Sequence, residues 1–310
     1  MSRTVAAIDC GTNSIRLLIA RADDVTGLLH DVSRQMRIVR LGEGVDATGR
    51  LSDEALARTF AAIEEYRTLL DEHGVQALRF VATSATRDAG NRAEFVTGVR
   101  GLLGVEPEVI SGEEEAALSF AGATGELDIA LATPPCLVVD IGGGSTEFVM
   151  GEPGRAPAAA GSVDIGCVRM TERHFANDPP LPAEVAAARD DIDAAIAEVA
   201  ATVPVRQAGS LVGLAGSVTT VAALAMGLWE YDPERIHGSV ITAADVHRVC
   251  EELLYSTRGR REANPVIHPG RVDVIAAGSL VLSAIVAYTG LQELLVSEHD
   301  ILDGIALSLA

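Results

Sequence analysis

One segment of this chain occurs twice, and that repeat narrows the possible folds more than any other feature. Near the N-terminus stands Val5-Ala-Ala-Ile-Asp9-Cys-Gly11-Thr-Asn13-Ser14-Ile-Arg16-Leu-Leu-Ile19. In the middle stands Val138-Val-Asp140-Ile-Gly142-Gly143-Gly144-Ser145-Thr-Glu147-Phe-Val-Met150. An ungapped offset of 131 residues lays Asp9 on Asp140, Gly11 on Gly142, Ser14 on Ser145 and Arg16 on Glu147. Each copy is an apolar strand ending in Asp, a tight turn with glycine, then a second apolar strand. That pattern predicts a β-hairpin with its functional atoms at the turn. Gly and Asp are common turn residues, so one copy would carry little weight. Two copies in one register point to duplicated phosphate-binding hairpins. Small residues let backbone N–H groups approach an anion. An Asp at the strand end, Asp9 or Asp140, can hold Mg²⁺ beside it, because Mg²⁺ takes one or two carboxylates plus waters and phosphate oxygens.

A third turn, Leu211-Val-Gly213-Leu-Ala-Gly216-Ser217, opens a helical segment from Val221 to Gly227. It reads equally as an anion site built on Gly216 and Ser217 or as a plain strand-to-helix turn. Elsewhere the periodicity predicts helices over 52–73, 91–103, 183–203 and 275–288, and strands over 78–82 and 105–110. The alternation argues for an α/β chain with partly parallel sheets. A hinge is expected between Gly122 and Pro135.

Ser111-Gly-Glu113-Glu114-Glu115 matches a capping box, which gives Glu114 a local role on the Ser111 N–H. Glu115 is not needed for the cap and points about 100° away around the helix axis. It reads as part of a solvated acidic turn or, if its face meets a substrate, as a group that deprotonates water.

Composition removes several mechanisms. All 24 basic residues are arginine, so no lysine can form a Schiff base or hold a nucleotide phosphate. A net charge of −20 argues against nucleic acid as a partner. A polyanionic substrate would need backbone amides, bound metal and a few placed arginines. Cys10, Cys136, Cys167 and Cys250 lie far apart, and no presequence is visible, which fits reduced thiols in a cytoplasm. No apolar stretch is long enough for a membrane span, and the seven histidines show no zinc-ligand spacing.

Taken together, these motifs resemble the exopolyphosphatase / guanosine pentaphosphate phosphohydrolase family over nearly the whole chain. The resemblance rests on Asp9 to Ser14, Ala82-Thr-Ser-Ala-Thr-Arg87, Ile110 to Ala116, Asp140 to Glu147, Ile165-Gly-Cys-Val168 and Ala215-Gly216-Ser217. It implies two ribonuclease H-like domains of the actin-like ATPase superfamily, with an active site in the cleft between them. Domain I is expected over 1–124 with a returning helix at 299–310, and domain II over 125–298. By position, the resemblance implies Glu115 as the catalytic carboxylate and Asp140 and Glu147 as acids near a divalent cation such as Mg²⁺, and the repeat adds Asp9 to them. It implies Asn13, Ser14, Gly143, Gly144, Ser145 and Arg87 as phosphate contacts. Arg16, Gly216 and Ser217 are added from the repeat and the third turn.

The implied reaction removes the terminal phosphate of polyphosphate. The chain stops at Ala310 without the further helical domains of longer members, which favours short chains as substrate. A homodimer is compatible with the family. Guanosine pentaphosphate is the alternative substrate, with Trp229 and Tyr231 as base-stacking or packing residues. A small-molecule kinase of the same superfamily is disfavoured by the missing cysteine-rich zinc signature. A non-enzymatic polyphosphate sensor is disfavoured because all four acids are present. Arg258, Arg260 and Arg261 read as a loop of solvated arginines or as a guide for a polyanion.

Overall fold

The computed structural model of the chain describes residues 2–23, 28–125 and 132–310. The chain forms two compact units, Met1–Gly122 with Ile301–Ala310, and Ala123–Asp300. Part of the expected hinge, residues 126–131, lies outside the described residues.

In the first unit, strands β1 (Ser2–Cys10), β2 (Ser14–Asp23), β3 (Leu29–Ile38), β4 (Ala77–Ala82) and β5 (Glu108–Val109) line up in the order β3-β2-β1-β4-β5. β2 runs antiparallel to both its neighbours, whereas β1, β4 and β5 are mutually parallel. The second unit holds β6 (Cys136–Ile141), β7 (Thr146–Gly151), β8 (Ala159–Val163), β9 (Ser210–Leu214), β10 (Val240–Thr242) and β11 (Glu293–Val296), ordered β10-β11-β9-β6-β7-β8. Without its antiparallel edge strand β10, this sheet repeats the order and directions of the first. The arrangement is ribonuclease H-like, and its duplication is that of the actin-like fold. Both predicted hairpins form, as β1–β2 and β6–β7.

The uninterrupted apolar runs of the first hairpin follow from burial on both faces. Ala6, Ile8 and Cys10 pack on one side with the helices Asp53–Glu72 and Arg92–Leu103. Val5 and Ala7 pack on the other with Leu118 and with Ile301, Leu302, Ile305 and Ala306 of the helix Ile301–Leu307. That last helix lies so close to its neighbour that a Cβ on Gly304 would overlap the carbonyl of Leu118.

Helix Asp53–Glu72 starts where its sequence says it should. The Ser52 hydroxyl accepts the Ala55 N–H at 3.2 Å. Its buried residues include Leu56, Ile63, Tyr66 and Leu70, spaced three to seven apart. Each such large side chain contributes about 1.5–3 kcal/mol on burial. In the second unit the apolar helix Ile275–Thr289 is buried along most of its length, as its composition predicts.

The predicted strand over 105–110 shrinks to the two residues of β5. Pro107 has no N–H to give a ladder, which keeps the segment out of the sheet until Glu108. Among the described residues no helix is long and apolar enough to cross a membrane.

Candidate active site

In the first unit, the polar candidates gather where the parallel strands end, the usual binding edge of such a sheet. The β1–β2 turn is held from behind. The Thr12 carbonyl accepts the Gly42 N–H at 2.9 Å, and the Asn13 carbonyl accepts the N–H groups of Val39 and Arg40 at 3.1 and 2.9 Å. Asp9 and Arg16 stand directly opposite each other in the ladder. Asp9 is buried, and its Oδ2 accepts from Arg16 Nε and Nη2 at 3.0 and 2.6 Å. The first turn is thus an internally neutralised acid–base pair. Beside it, the Thr83 N–H reaches the Cys10 carbonyl at 3.2 Å, and the Ile110 N–H reaches the Ala82 carbonyl at 3.1 Å. These bonds bring Thr83–Arg87 and the start of helix Gly112–Gly125 to the same edge.

There Arg87 Nη1 donates to Glu115 Oε2 and to the Ile110 carbonyl, both at 3.0 Å. Glu115 is 8% exposed, so it is not part of a solvated acidic turn. The capping box forms only in part. Ser111 Oγ accepts the Glu114 N–H at 3.2 Å, but the Glu114 carboxylate pairs with Arg79 at 2.8 Å, a stronger partner than a backbone amide.

The second unit repeats the turn with different charge. Asp140 and Glu147 face each other in the β6–β7 ladder, at the positions that Asp9 and Arg16 occupy in β1–β2. Two acids therefore stand where the first unit has an acid and a base. Glu147 is 1% exposed, and its Oε1 accepts the hydroxyls of Ser145 and Ser162 at 2.7 and 2.8 Å.

The carbonyls of the glycine turn all point into the protein. Gly142 accepts from Cys167 N at 2.9 Å, Gly143 from Val168 N and Arg169 N at 2.8 and 3.1 Å, and Gly144 from Gly166 N and Arg169 Nε at 3.2 and 2.7 Å. Among the described residues no acceptor takes the N–H groups of Gly143 and Gly144. Peptide planes fixed this way turn their amides outward, as a phosphate-binding nest does.

The third turn lies at the end of β9. Ala215 holds φ 64°, left-handed for a residue with a Cβ, a conformation that costs about 1–2 kcal/mol. The Arg271 guanidinium lies so close over Gly216 that any Cβ there would overlap it. Ser217 is buried, with its hydroxyl against Gly278, beside Cys167. Burial pushes the Cys167 thiol up, with the Ser217 contact and Arg271 acting the other way.

The structure thus gathers Asp9, Asn13, Ser14, Arg16, Arg87 and Glu115 within the first unit, and Asp140, Gly143, Gly144, Ser145, Glu147, Gly216 and Ser217 within the second. Sequence reading missed Arg169, Ser162 and Arg271. Each becomes visible only through the turn it supports or covers.

Tyr231 packs on the core, and its hydroxyl bonds Thr219 and Glu298, both at 2.6 Å. The ring is therefore a packing residue, and burial followed by Glu298 pushes its hydroxyl above the usual tyrosine range. Trp229 is 74% exposed. The solvated-arginine reading fails for Arg261, which is 5% exposed and donates to Val272 O, Ser256 O and Asp178. Arg258 is tied to Asp273 and Glu262.

The donors near the glycine turn suit a hard cation. They are carboxylate and hydroxyl oxygens, with no sulfur or imidazole among the contacts described. Among the described residues no three His, Cys, Asp or Glu side chains cluster into a metal cage. A magnesium ion fits such a place, since it takes one or two carboxylates and completes its shell with phosphate oxygens and water.

The Ppx/GppA phosphatase family matches residues 18–310. The chain is 51% identical to Exopolyphosphatase 2 of Mycobacterium tuberculosis, over 99% of this chain and 98% of that protein. A crystal structure of an exopolyphosphatase-like protein superposes with a TM-score of 0.94 at 46% identity, covering 100% of this chain and 98% of the other. The Aquifex aeolicus PPX-GPPA enzyme superposes at 0.82 with 32% identity, covering 99% and 100%. The chain belongs to the Ppx/GppA phosphatase family and is a phosphoanhydride hydrolase.

Proposed function

We infer that this chain is an exopolyphosphatase that removes the terminal phosphate of short polyphosphate with Mg²⁺. The observation that carries this reading is the Gly143–Gly144 turn. Its carbonyls are all bound from one side, its amides take no described acceptor, and Asp140 and Glu147 flank it. In a chain of net charge −20, such a local device is what a polyanion requires. Short chains are favoured because Arg258 and Arg261 are engaged with acids and carbonyls and offer no basic track. Four buried, unpaired cysteines support a reducing cytoplasm as its compartment.

The roles follow from chemistry. The amides of Gly143 and Gly144 bind phosphoryl oxygens. Asp140 and Glu147 would hold Mg²⁺, which supplies charge neutralisation on the phosphate oxygens when bound. Arg87 binds the terminal phosphoryl group. Glu115 accepts one proton from the attacking water as the new P–O bond forms and the bridging P–O bond breaks. The shortened chain leaves with the bridging oxygen. Most of the rate gain comes from positioning and preorganised charge.

The test is phosphate release by purified protein with Mg²⁺ on short polyphosphate, long polyphosphate and guanosine pentaphosphate in parallel, repeated with chelator. The expected result is faster release from short than from long polyphosphate, lost with the metal. Release from guanosine pentaphosphate alone would move the substrate to an alarmone, and release unaffected by chelator would remove the metal.

A further inference from the structure

Arg87 uses only one edge of its guanidinium inside the first unit. Both of its hydrogen bonds leave from Nη1, one to Glu115 Oε2 and one to the Ile110 carbonyl. Among the described residues neither Nε nor Nη2 donates to anything. Guanidinium has five donors in a fixed plane, and the Nε–Nη2 edge is a fork that matches two oxygens of a phosphate or carboxylate.

Nη1 is anchored to the sheet through its partners. Ile110 is tied to β4 through its N–H on the Ala82 carbonyl at 3.1 Å. Arg87 itself follows β4 in the short helix Ser84–Asp88, whose Arg87 N–H reaches the Thr83 carbonyl at 3.0 Å. The guanidinium plane, the Glu115 carboxylate and the sheet are therefore linked through short, mostly local bonds. Arg87 is 26% exposed along its side chain and Glu115 11%, so the pair is partly shielded from water.

We propose that Arg87 is the positioning residue of Glu115, holding the carboxylate with one edge of its guanidinium while the opposite edge takes the phosphoryl group. The inference rests on the reading of Glu115 as the base of a phosphoanhydride hydrolase. One planar group then sets the distance between the base and the phosphorus it serves. Substrate binding on the open edge leaves the Glu115 contact in place, so the base stays aimed. A lysine at this position keeps the charge but has a single nitrogen. It can serve the carboxylate or the phosphate, not both with the same geometry.

The test is a double-mutant cycle with Arg87→Lys, Glu115→Gln and the double variant, run on whichever substrate the wild type hydrolyses. kcat and KM are measured separately, and thermal unfolding is followed. Arg87→Lys is expected to raise KM and to lower kcat by about 10- to 100-fold, the scale of an ångström-level misplacement. In the Glu115→Gln background the same change should still raise KM but cost little further in kcat. Losses in kcat that multiply, or an Arg87→Lys effect confined to KM, overturn the proposal while leaving the exopolyphosphatase reading intact. Wild-type protein that releases no phosphate from any of the three substrates removes that reading and the proposal with it. If Arg87→Lys is poorly folded, Glu115→Asp replaces it. Its shorter side chain breaks the 3.0 Å contact without touching Arg87, so kcat should fall with KM unchanged, and a fall in neither overturns the proposal.

Discussion

At the scale of single residues, the site depends on close approaches that only glycine allows. Gly166 is the clearest case. A Cβ there would overlap the backbone of Gly143 and Gly144, not a movable side chain. The Gly166 N–H also reaches the Gly144 carbonyl at 3.2 Å. The glycine turn therefore owes its shape to a residue more than twenty positions downstream. Gly166→Ala should lower stability by about 1–3 kcal/mol through overpacking. It should also lower kcat/KM, because the displaced turn no longer aims its amides. Gly259 is the control, since a Cβ there meets nothing within 4 Å. Gly259→Ala sits in a short helix and should leave both stability and turnover near wild type or slightly better. Thermal unfolding and phosphate release on the two variants check this; equal behaviour would mean the turn does not rely on Gly166.

At the scale of elements, the segments with a strong period were legible and those defined by long-range partners were not. The Asp53–Glu72 helix carried its cap and its apolar stripe in the sequence. Both hairpins were visible because Asp, glycine and the flanking apolar runs recur in one register. β8, β10 and β11 were not, since each is short and is selected by a neighbouring strand. The candidate site's two hairpin turns were legible where the motif repeats, around Asp9, Asp140 and Gly143. The site was hidden where a side chain arrives from a distant segment. Arg271 gives no sign in Pro269-Gly-Arg271 that it covers Gly216.

Arg261 shows the same limit. A run of arginines reads as solvated, but Arg261 is withdrawn by three acceptors, one of them Asp178, eighty-three positions away. Burial works against ionisation of Asp178, yet the Arg258 N–H and the Arg261 guanidinium hold its carboxyl below the ordinary range. A depressed folded pKa means the stabilisation is present above the unfolded pKa of about 4 and is lost as pH falls through the lower, folded value. Asp178→Asn should cost about 1–2 kcal/mol at neutral pH. The figure is modest because the Asp178 side chain is 41% exposed. Unfolding curves at neutral and acid pH should converge for the two proteins as the carboxyl of the wild type is protonated. A gap that persists at low pH would assign the loss to shape and not to charge.

For the whole molecule, duplication supplied two equal frames and divergence gave them unequal charge. The same ladder position carries Arg16 opposite Asp9 in one unit and Glu147 opposite Asp140 in the other. The first turn is neutral by itself, and the second sets two acids opposite each other. Around both, the chain has a net charge of −20. A nucleic-acid-binding protein draws its polyanion in by long-range attraction and loses affinity steeply as salt rises. This chain should do the reverse. A surface of that sign repels a polyanion at long range, and on the function proposed above only arginine, amides and a bound cation attract it at contact. Salt shortens the reach of the repulsion to about 10 Å at 0.1 M while touching the shielded contacts less. At fixed, saturating Mg²⁺, KM for short polyphosphate should therefore fall or stay level as monovalent salt rises from about 0.01 to 0.15 M. Steady-state rates across that range decide the matter. A KM that climbs several-fold would mean that substrate is captured by an exposed basic surface, and that the outward amides and the acid pair of the second unit are not what holds it.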